Sequence, residues 1–234
     1  MFEREHHRRV AAVLQALDAE ALAVNTGLFG GGTAMALRYG EYRESVDIDF
    51  LVSNLEGYRQ LRQRLTGPDG LRALLKPGMT LNQVREMRAD QYGIRTMLRV
   101  DDVEIKFEIV LEGRMALELP GELDRICGVA TLTPLDMVAS KLLANSDRWR
   151  DDAVLSRDLI DLAMMAPNRT LLQLGMAKAK AAYGDSVALD LAKAIEDLRA
   201  RPHRLDHCMK FMRMTSVAKA VLWTRIKALG AAAK

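Results

Sequence analysis

Cysteine is scarce: Cys127 and Cys208 are the whole complement of 234 residues, too few for a disulfide framework or a four-ligand zinc site. A reducing cytosol is the expected compartment, so the protein is expected to be cytoplasmic. Aromatic residues make up only 5%, which argues against a platform that stacks the bases of single strands. No run of ~18 apolar residues occurs, so no membrane partner is expected. The charged start Met1-Phe2-Glu3-Arg4-Glu5-His6-His7-Arg8-Arg9 lacks the apolar core of a secretion signal. Neither sign of charge dominates: 34 Lys and Arg against 31 Asp and Glu give a net of +3. That balance tolerates a polyanionic partner without demanding one. What is present is a hydrophobic fraction of 49%, ordinary for a globular chain long enough for one large domain or two modest ones.

The texture of the sequence changes near residue 131. Residues 2–20 carry Val10, Val13, Leu14 and Leu17 at helical spacing among charges, which predicts an opening amphipathic helix. Ala21 to Phe29 is short and apolar and runs into glycines, as a strand entering a tight bend would; Thr33 to Tyr39 follows as a short helix. Val46 to Val52 reads as a compact strand and Leu55 to Leu65 as a helix. Gln91 to Val100, a turn at Asp101-Asp102, and Val103 to Leu111 predict a β-hairpin. Its second arm alternates Val103, Ile105, Phe107 and Ile109 with Asp102, Glu104, Lys106 and Glu108. Thr133-Pro134 is a helix start, with Thr as cap and Pro at the first position. Helical patterns follow at about 134–146, 155–165, 168–182, 186–200 and 204–228, the last broken in two. The tail Ala231 to Lys234 is expected to fray. The architecture is therefore α/β first and all-α second.

Three features stand in order: Gly30-Gly31-Gly32-Thr33, Asp47-Ile48-Asp49, and Lys106-Phe107-Glu108. Glycines between a strand and a helix serve a tight turn, or leave backbone N–H groups at a positive helix end that binds phosphate. The string lacks the spacing and lysine of a P-loop and lacks a dinucleotide fingerprint. Asp47 and Asp49, two apart on a strand, share a face and repel each other, a repulsion that a divalent cation relieves and that water on an edge strand also screens. Glu108 and Lys106 share a face on another strand. If the hairpin lies beside strand 46–52, Glu108 can join the aspartates as a third metal ligand, with Lys106 near a phosphate or paired with Glu104 or Glu108. Together these groups describe a site for nucleotidyl transfer.

The stretch Phe29-Gly30-Gly31-Gly32-Thr33-Ala34 through Arg43-Glu44-Ser45-Val46-Asp47-Ile48-Asp49-Phe50 resembles the first motif of the AbiEii/AbiGii-type toxin nucleotidyltransferases, within the DNA-polymerase-β-like nucleotidyltransferase superfamily. A second block, Leu132-Thr133-Pro134-Leu135-Asp136, Lys141-Leu142-Leu143-Ala144, Arg148 and Arg157-Asp158-Leu159-Ile160-Asp161-Leu162, resembles that family's helical motifs. The likeness spans about residues 20–165. It implies an α+β fold: a nucleotidyltransferase-like mixed sheet flanked by helices over 1–131, then a helical bundle over 132–234. It also implies magnesium-dependent transfer of a nucleotide from an NTP to an acceptor hydroxyl, tRNA among the acceptors, by a toxin with a cognate antitoxin. A degenerate fold that only binds RNA or protein is the alternative.

Carried onto matching positions, the resemblance has Asp47 and Asp49 holding metal, with Glu108 or Asp161 as third carboxylate. Gly31, Gly32 and Thr33 would bracket the phosphates, Lys141 would contact one, and Ser45 and Arg43 would shape the loop or touch phosphate. Asp158 would complete the centre or, with Asp161, orient Lys141 and Arg157. Read without the resemblance, Asp158 and Asp161 beside Arg157 form a surface charge cluster, and Lys141 snorkels from an apolar face. The basic run Arg199, Arg201, Arg204, Lys210 and Arg213 would grip an acceptor or simply meet water. His203 and His207 lack the glutamate of a zinc protease site and read as a surface pair.

Overall fold

The structure is a computed structural model and describes residues 2–232. The chain divides into two compact units, one made of the residues up to Arg38 with Ser45–Thr133, the other of Tyr39–Glu44 with the chain from Pro134 onward. A short strap lying in sequence between the glycine turn and the aspartates thus belongs with the helical unit.

The first unit runs through α1 (Glu5–Ala16), α2 (Ala19–Ala23), β1 (Leu28–Gly30), α3 (Gly31–Arg38), β2 (Ile48–Val52) and α4 (Leu55–Leu65). It continues through β3 (Asn82–Gln83), β4 (Arg88–Ala89), the hairpin β5 (Gly93–Val100) and β6 (Val103–Leu111), and the ribbon β7 (Arg125–Ile126) and β8 (Val129–Ala130). The strand expected over Ala21 to Phe29 is instead a short helix followed by a three-residue strand. Asp18 is the cause: its carboxylate accepts from the N–H groups of Glu20 and Ala21 and closes a helical turn. Asn54 starts α4 in the same way.

Six strands form one mixed sheet in the order β1-β2-β6-β5-β3, with β4 also pairing β5. Only β2 and β6 run parallel; the other pairs are antiparallel. The hairpin turns at Asp101, which adopts a left-handed φ of 51°, as the tight turns that match strand twist require. Ile105, Phe107 and Ile109 are fully buried. On the core face the rings of Phe29, Phe50 and Phe107 follow one another at 5.7 Å, tilted, each contact worth ~0.5–1.5 kcal/mol beyond area burial.

The second unit, taken by itself, is helical: α5 (Pro134–Arg148), α6 (Arg157–Met165), α7 (Arg169–Tyr183), α8 (Ser186–Ala200), α9 (Arg204–Phe211) and α10 (Lys219–Ala232). Pro134 is the first residue of α5, where its missing N–H costs nothing. The break expected within 204–228 falls between α9 and α10, with Arg213 at φ 53°. Ala231 and Ala232 close α10, while the remainder of the tail, expected to fray, lies outside the described residues. No helix among the described residues is long and apolar enough to cross a membrane.

α5 and α7 pack closely enough that Gly175 carries information. A Cβ there would overlap Val138 Cγ1, and a β-branched side chain has little rotamer freedom in a helix. Gly175→Ala gains ~1 kcal/mol of helix propensity but overpacks the interface at a cost of ~1–3 kcal/mol. The expected result is a lower midpoint in urea or thermal unfolding, although Gly→Ala in an open helix raises it.

Candidate active site

The sheet register brings one line of residues together. Gly30 of β1 pairs with Asp49 of β2, Asp49 with Glu108 of β6, Glu108 with Arg95 of β5, and Arg95 with Arg88 of β4. Directly paired residues share a face, so this row lies on the side of the sheet opposite the phenylalanines. Neighbouring strands are ~4.8 Å apart. At the first end of the row the chain turns through Gly31 into α3. Gly31 has a φ of +68°, and a Cβ on it would lie 2.5 Å from Asp49 Oδ2. Residue 31 must therefore be glycine for the turn to form and for the Asp49 carboxylate to rest against it. The first N–H groups of α3 have no partner inside the helix, and its positive end favours anions beside it.

The approach to Asp49 departs from the expected strand. β2 begins at Ile48, so Val46 and Asp47 precede it. Their neighbourhood is bonded to α1 instead of a ladder: the Ser45 N–H donates to His7 Nε2 at 3.2 Å, and His6 Nε2 lies 3.1 Å from the Val46 carbonyl. The Thr33 hydroxyl, buried, donates to Ser45 Oγ at 2.8 Å. Thr33 and Ser45 thus tie the start of α3 to the loop that carries Asp47. Neither histidine had a role in the sequence pattern; only their adjacency in space reveals one.

Glu108 does not stand alone. Arg95 Nε donates to one of its oxygens at 2.5 Å and the Lys106 ammonium bonds the other. Burial pushes the Glu108 carboxyl up, but the hydrogen bonds and charges of Lys106 and Arg95 outweigh it and hold it below the usual carboxylate range. Among the described residues, no three His, Cys, Asp or Glu side chains gather closely enough to hold a metal by themselves. Asp47 and Asp49 still suit Mg²⁺, which is commonly held through one or two carboxylates with substrate phosphates completing the shell. The glycine cradle that leaves room beside the Asp49 carboxylate fits such a ligand set.

The remaining expected residues lie in the helical unit and form a separate buried network. Asp161, fully buried, accepts from Arg43 through Nε at 2.7 Å and Nη2 at 2.9 Å. It also accepts from the Tyr42 hydroxyl at 2.6 Å and pairs with Lys141 Nζ at 2.6 Å. Asp158 accepts from Lys141 Nζ at 3.0 Å and from Arg148 Nε at 2.7 Å. Burial would raise both carboxyls, but the facing cations hold them below the normal range: Arg43 and Lys141 for Asp161, Lys141 and Arg148 for Asp158. Burial and the Asp161 charge push the Tyr42 phenol well up.

A surface charge cluster is therefore the wrong picture for Asp158 and Asp161, and Lys141 does not snorkel to water but sits between them. α6 is fixed at some strain: Leu155 and Ser156 before it and Ala166 after it all have positive φ. Arg157 is exposed. Burial pushes the thiols of Cys127 and Cys208 up, away from nucleophilic thiolates.

A glycine turn at a helix start, an aspartate strand beside it and a parallel strand bringing a further carboxylate into register define a nucleotidyltransferase-type fold. A solved structure from H. pylori assigned as a nucleotidyltransferase superposes with a TM-score of 0.53 at 19% identity, covering 97% of this chain and 91% of that one. No curated protein matches. The family model described as nucleotidyl transferase AbiEii toxin, type IV toxin–antitoxin system, matches residues 12–225, and the chain belongs to that family. It is a nucleotidyltransferase of this toxin class.

Two outcomes follow from this geometry. Gly31→Ala forces a side chain into a left-handed backbone and against Asp49; turnover should fall by roughly 100-fold, the usual consequence of an ångström-scale misplacement, and the strain should lower the unfolding free energy by ~1–3 kcal/mol. Asp161→Asn leaves Arg43 buried without its counter-charge and should lower the unfolding free energy by ~3–5 kcal/mol. The depressed carboxyls give stability that is complete above their unfolded pKa of ~4 and lost as pH falls towards their native values. Acid unfolding followed by circular dichroism should therefore be less steep in Asp161→Asn than in the parent below that pH.

Proposed function

We propose that the protein transfers a nucleotide from an NTP to an acceptor hydroxyl with the help of Mg²⁺, and that the acceptor is RNA such as tRNA. The observation that carries this reading is the register Gly30–Asp49–Glu108 with Gly31 pressed against the Asp49 carboxylate. Asp47 and Asp49 would hold the cation, which when bound neutralises phosphate charge and lowers the pKa of a nearby hydroxyl. The N–H groups of Gly31 and Gly32 at the start of α3 orient the phosphates, and the dipole of that helix favours their charge. The half-buried Thr33–Ser45 bond holds this turn and the Asp47 loop in one arrangement. Glu108, ionised between Arg95 and Lys106, keeps those two cations in place beside Asp49. A cognate antitoxin is the partner that the toxin class implies, and the cytoplasm the compartment.

Labelled NTPs, Mg²⁺ and total RNA give the direct test. Transfer should fall by roughly two orders of magnitude or more in Asp47→Ala and in Asp49→Ala; persistent labelling by either variant would exclude this site as its source. Calorimetry separates the alternative of a fold kept only for binding, suggested by the engagement of Glu108 with Arg95 and Lys106. The proposal expects NTP binding that depends on Mg²⁺; binding of RNA alone, with no metal-dependent NTP affinity, would favour the alternative.

A further inference from the structure

The row that begins at the glycine turn does not end at Glu108. It continues to Arg95 and then to Arg88 on β4, two arginines paired directly across neighbouring strands. Like charges opposite each other destabilise a sheet, so this pair calls for an anion. Arg95 finds a partial answer in Glu108 and Asp90. Arg88 has no acidic partner among the described residues, and neither does Arg85 three positions before it. Both line a cavity of about 550 Å³ together with Arg95, Lys106 and Met97, where the one acid is Glu86.

The contrast with the rest of the chain is informative. The basic run expected to grip an acceptor is largely neutralised: Arg199 pairs with Glu196, Arg201 with Asp197 and Asp152, Arg204 with Asp152, and Arg213 with Glu44. In this pocket, by contrast, Arg85 and Arg88 keep their charge unpaired among the described residues, and Arg88 shares its face of the sheet with the carboxylates.

We infer that the Arg85–Arg88 pocket is a phosphodiester-binding subsite for the acceptor strand, an inference that rests on RNA being the acceptor. Strand spacing sets the backbone of Arg95 ~10 Å and that of Arg88 ~14 Å from the Asp49 strand, whereas a phosphate oxygen on Mg²⁺ lies ~2.1 Å from an ion that Asp49 itself would hold. The arginine pocket therefore takes an anion other than the phosphates at the metal. A polynucleotide supplies one, because it repeats its phosphates along the chain. The ligand is recognised by charge, not by base stacking: no aromatic residue lines the cavity.

The full-length protein carrying Asp47→Ala, which prevents turnover, serves as the parent for binding to a fluorescein-labelled single-stranded RNA of mixed sequence. Adding Arg85→Ala and Arg88→Ala should weaken binding roughly tenfold or more, and should reduce the salt slope by ~0.7 for each phosphate no longer neutralised. Arg85→Lys with Arg88→Lys should retain most of the affinity, which separates loss of charge from loss of fold. In the background with Asp47 intact, the Mg²⁺-dependent affinity for NTP should be unchanged by either pair. An unaltered RNA affinity and salt slope in the alanine pair would overturn the subsite. Loss of NTP affinity with RNA affinity kept would also overturn it and assign the pocket to the triphosphate. Absence of RNA binding by the parent, with NTP binding and transfer to another acceptor intact, would reject the subsite while leaving the transferase reading standing.

Discussion

Strand register is the constraint on which the site depends. Side chains alternate faces with a period of two, so a slip of one residue in β2 or β6 would exchange every inward and outward position. In the observed register Phe50 is buried between Phe29 and Phe107 while Asp49, Glu108 and Arg95 share the opposite face. A slip of β2 would turn Asp49 inward and Phe50 outward, and a slip of β6 would do the same to Glu108 and Phe107. Each phenylalanine is worth ~1.5–3 kcal/mol through burial, and unpaired buried charge costs more. The apolar core is thus what aligns the polar row, although none of the core residues takes part in chemistry. The glycine turn depends on the same alignment, since Gly31 meets Asp49 only because Gly30 pairs with it.

A different kind of force organises the helical unit. Arg43, Lys141 and Arg148 face Asp158 and Asp161, and most of these groups are removed from water. Buried ion pairs often add little net stability over apolar replacements, yet breaking one leaves a stranded charge. Their effect is therefore on specificity more than on strength. Asp161 accepts hydrogen bonds from both Tyr42 and Arg43, consecutive residues of the strap Tyr39–Glu44, and the Glu44 N–H donates to the Met212 carbonyl. Three left-handed non-glycine residues flank α6, each an unfavourable conformation that persists only where its surroundings overdetermine it. The network supplies that overdetermination, and it explains why Asp158 and Asp161 do not behave as an exposed helical charge pattern.

Much of this was legible in the sequence, for identifiable reasons. The hairpin was, because seven alternating residues from Val103 to Ile109 carry a period-two signal and Asp101-Asp102 breaks it. The start of α5 was, because proline at a first helical position has few other meanings. The short helix α2 and the two-residue strands β3 and β4 were not: they hold too few residues for any period to register. The Asp-x-Asp pair announced its chemistry, but not that Asp47 would precede the strand, because the histidines that bond its approach come from α1, with a separation of 38 residues for Ser45 and His7. The Arg43–Asp161 bond spans 118 residues, and no local spacing encodes such a pairing. Local periodicity specifies elements and faces, whereas the partners of a charged side chain are a property of the assembled unit.

The net charge makes that distinction concrete. A surplus of three cations over 234 residues says nothing about where positive potential resides, and sequence clustering pointed to the run near residue 200. Local acids answer part of it, Glu196 for Arg199 and Asp197 for Arg201, but acids that local spacing does not reveal complete the neutralisation: Asp152 faces both Arg201 and Arg204, and Glu44 faces Arg213. Arg88 and Arg95, seven apart in sequence with Asp90 between them, look balanced along the chain, yet the strand pairing sets the two arginines opposite each other. Pairing geometry can thus concentrate charge that composition has already averaged away. What a polyanion meets is the local field of a concave surface, and the sheet register that brings Glu108 beside Asp49 is the same register that aligns Arg88 and Arg95 further along the row.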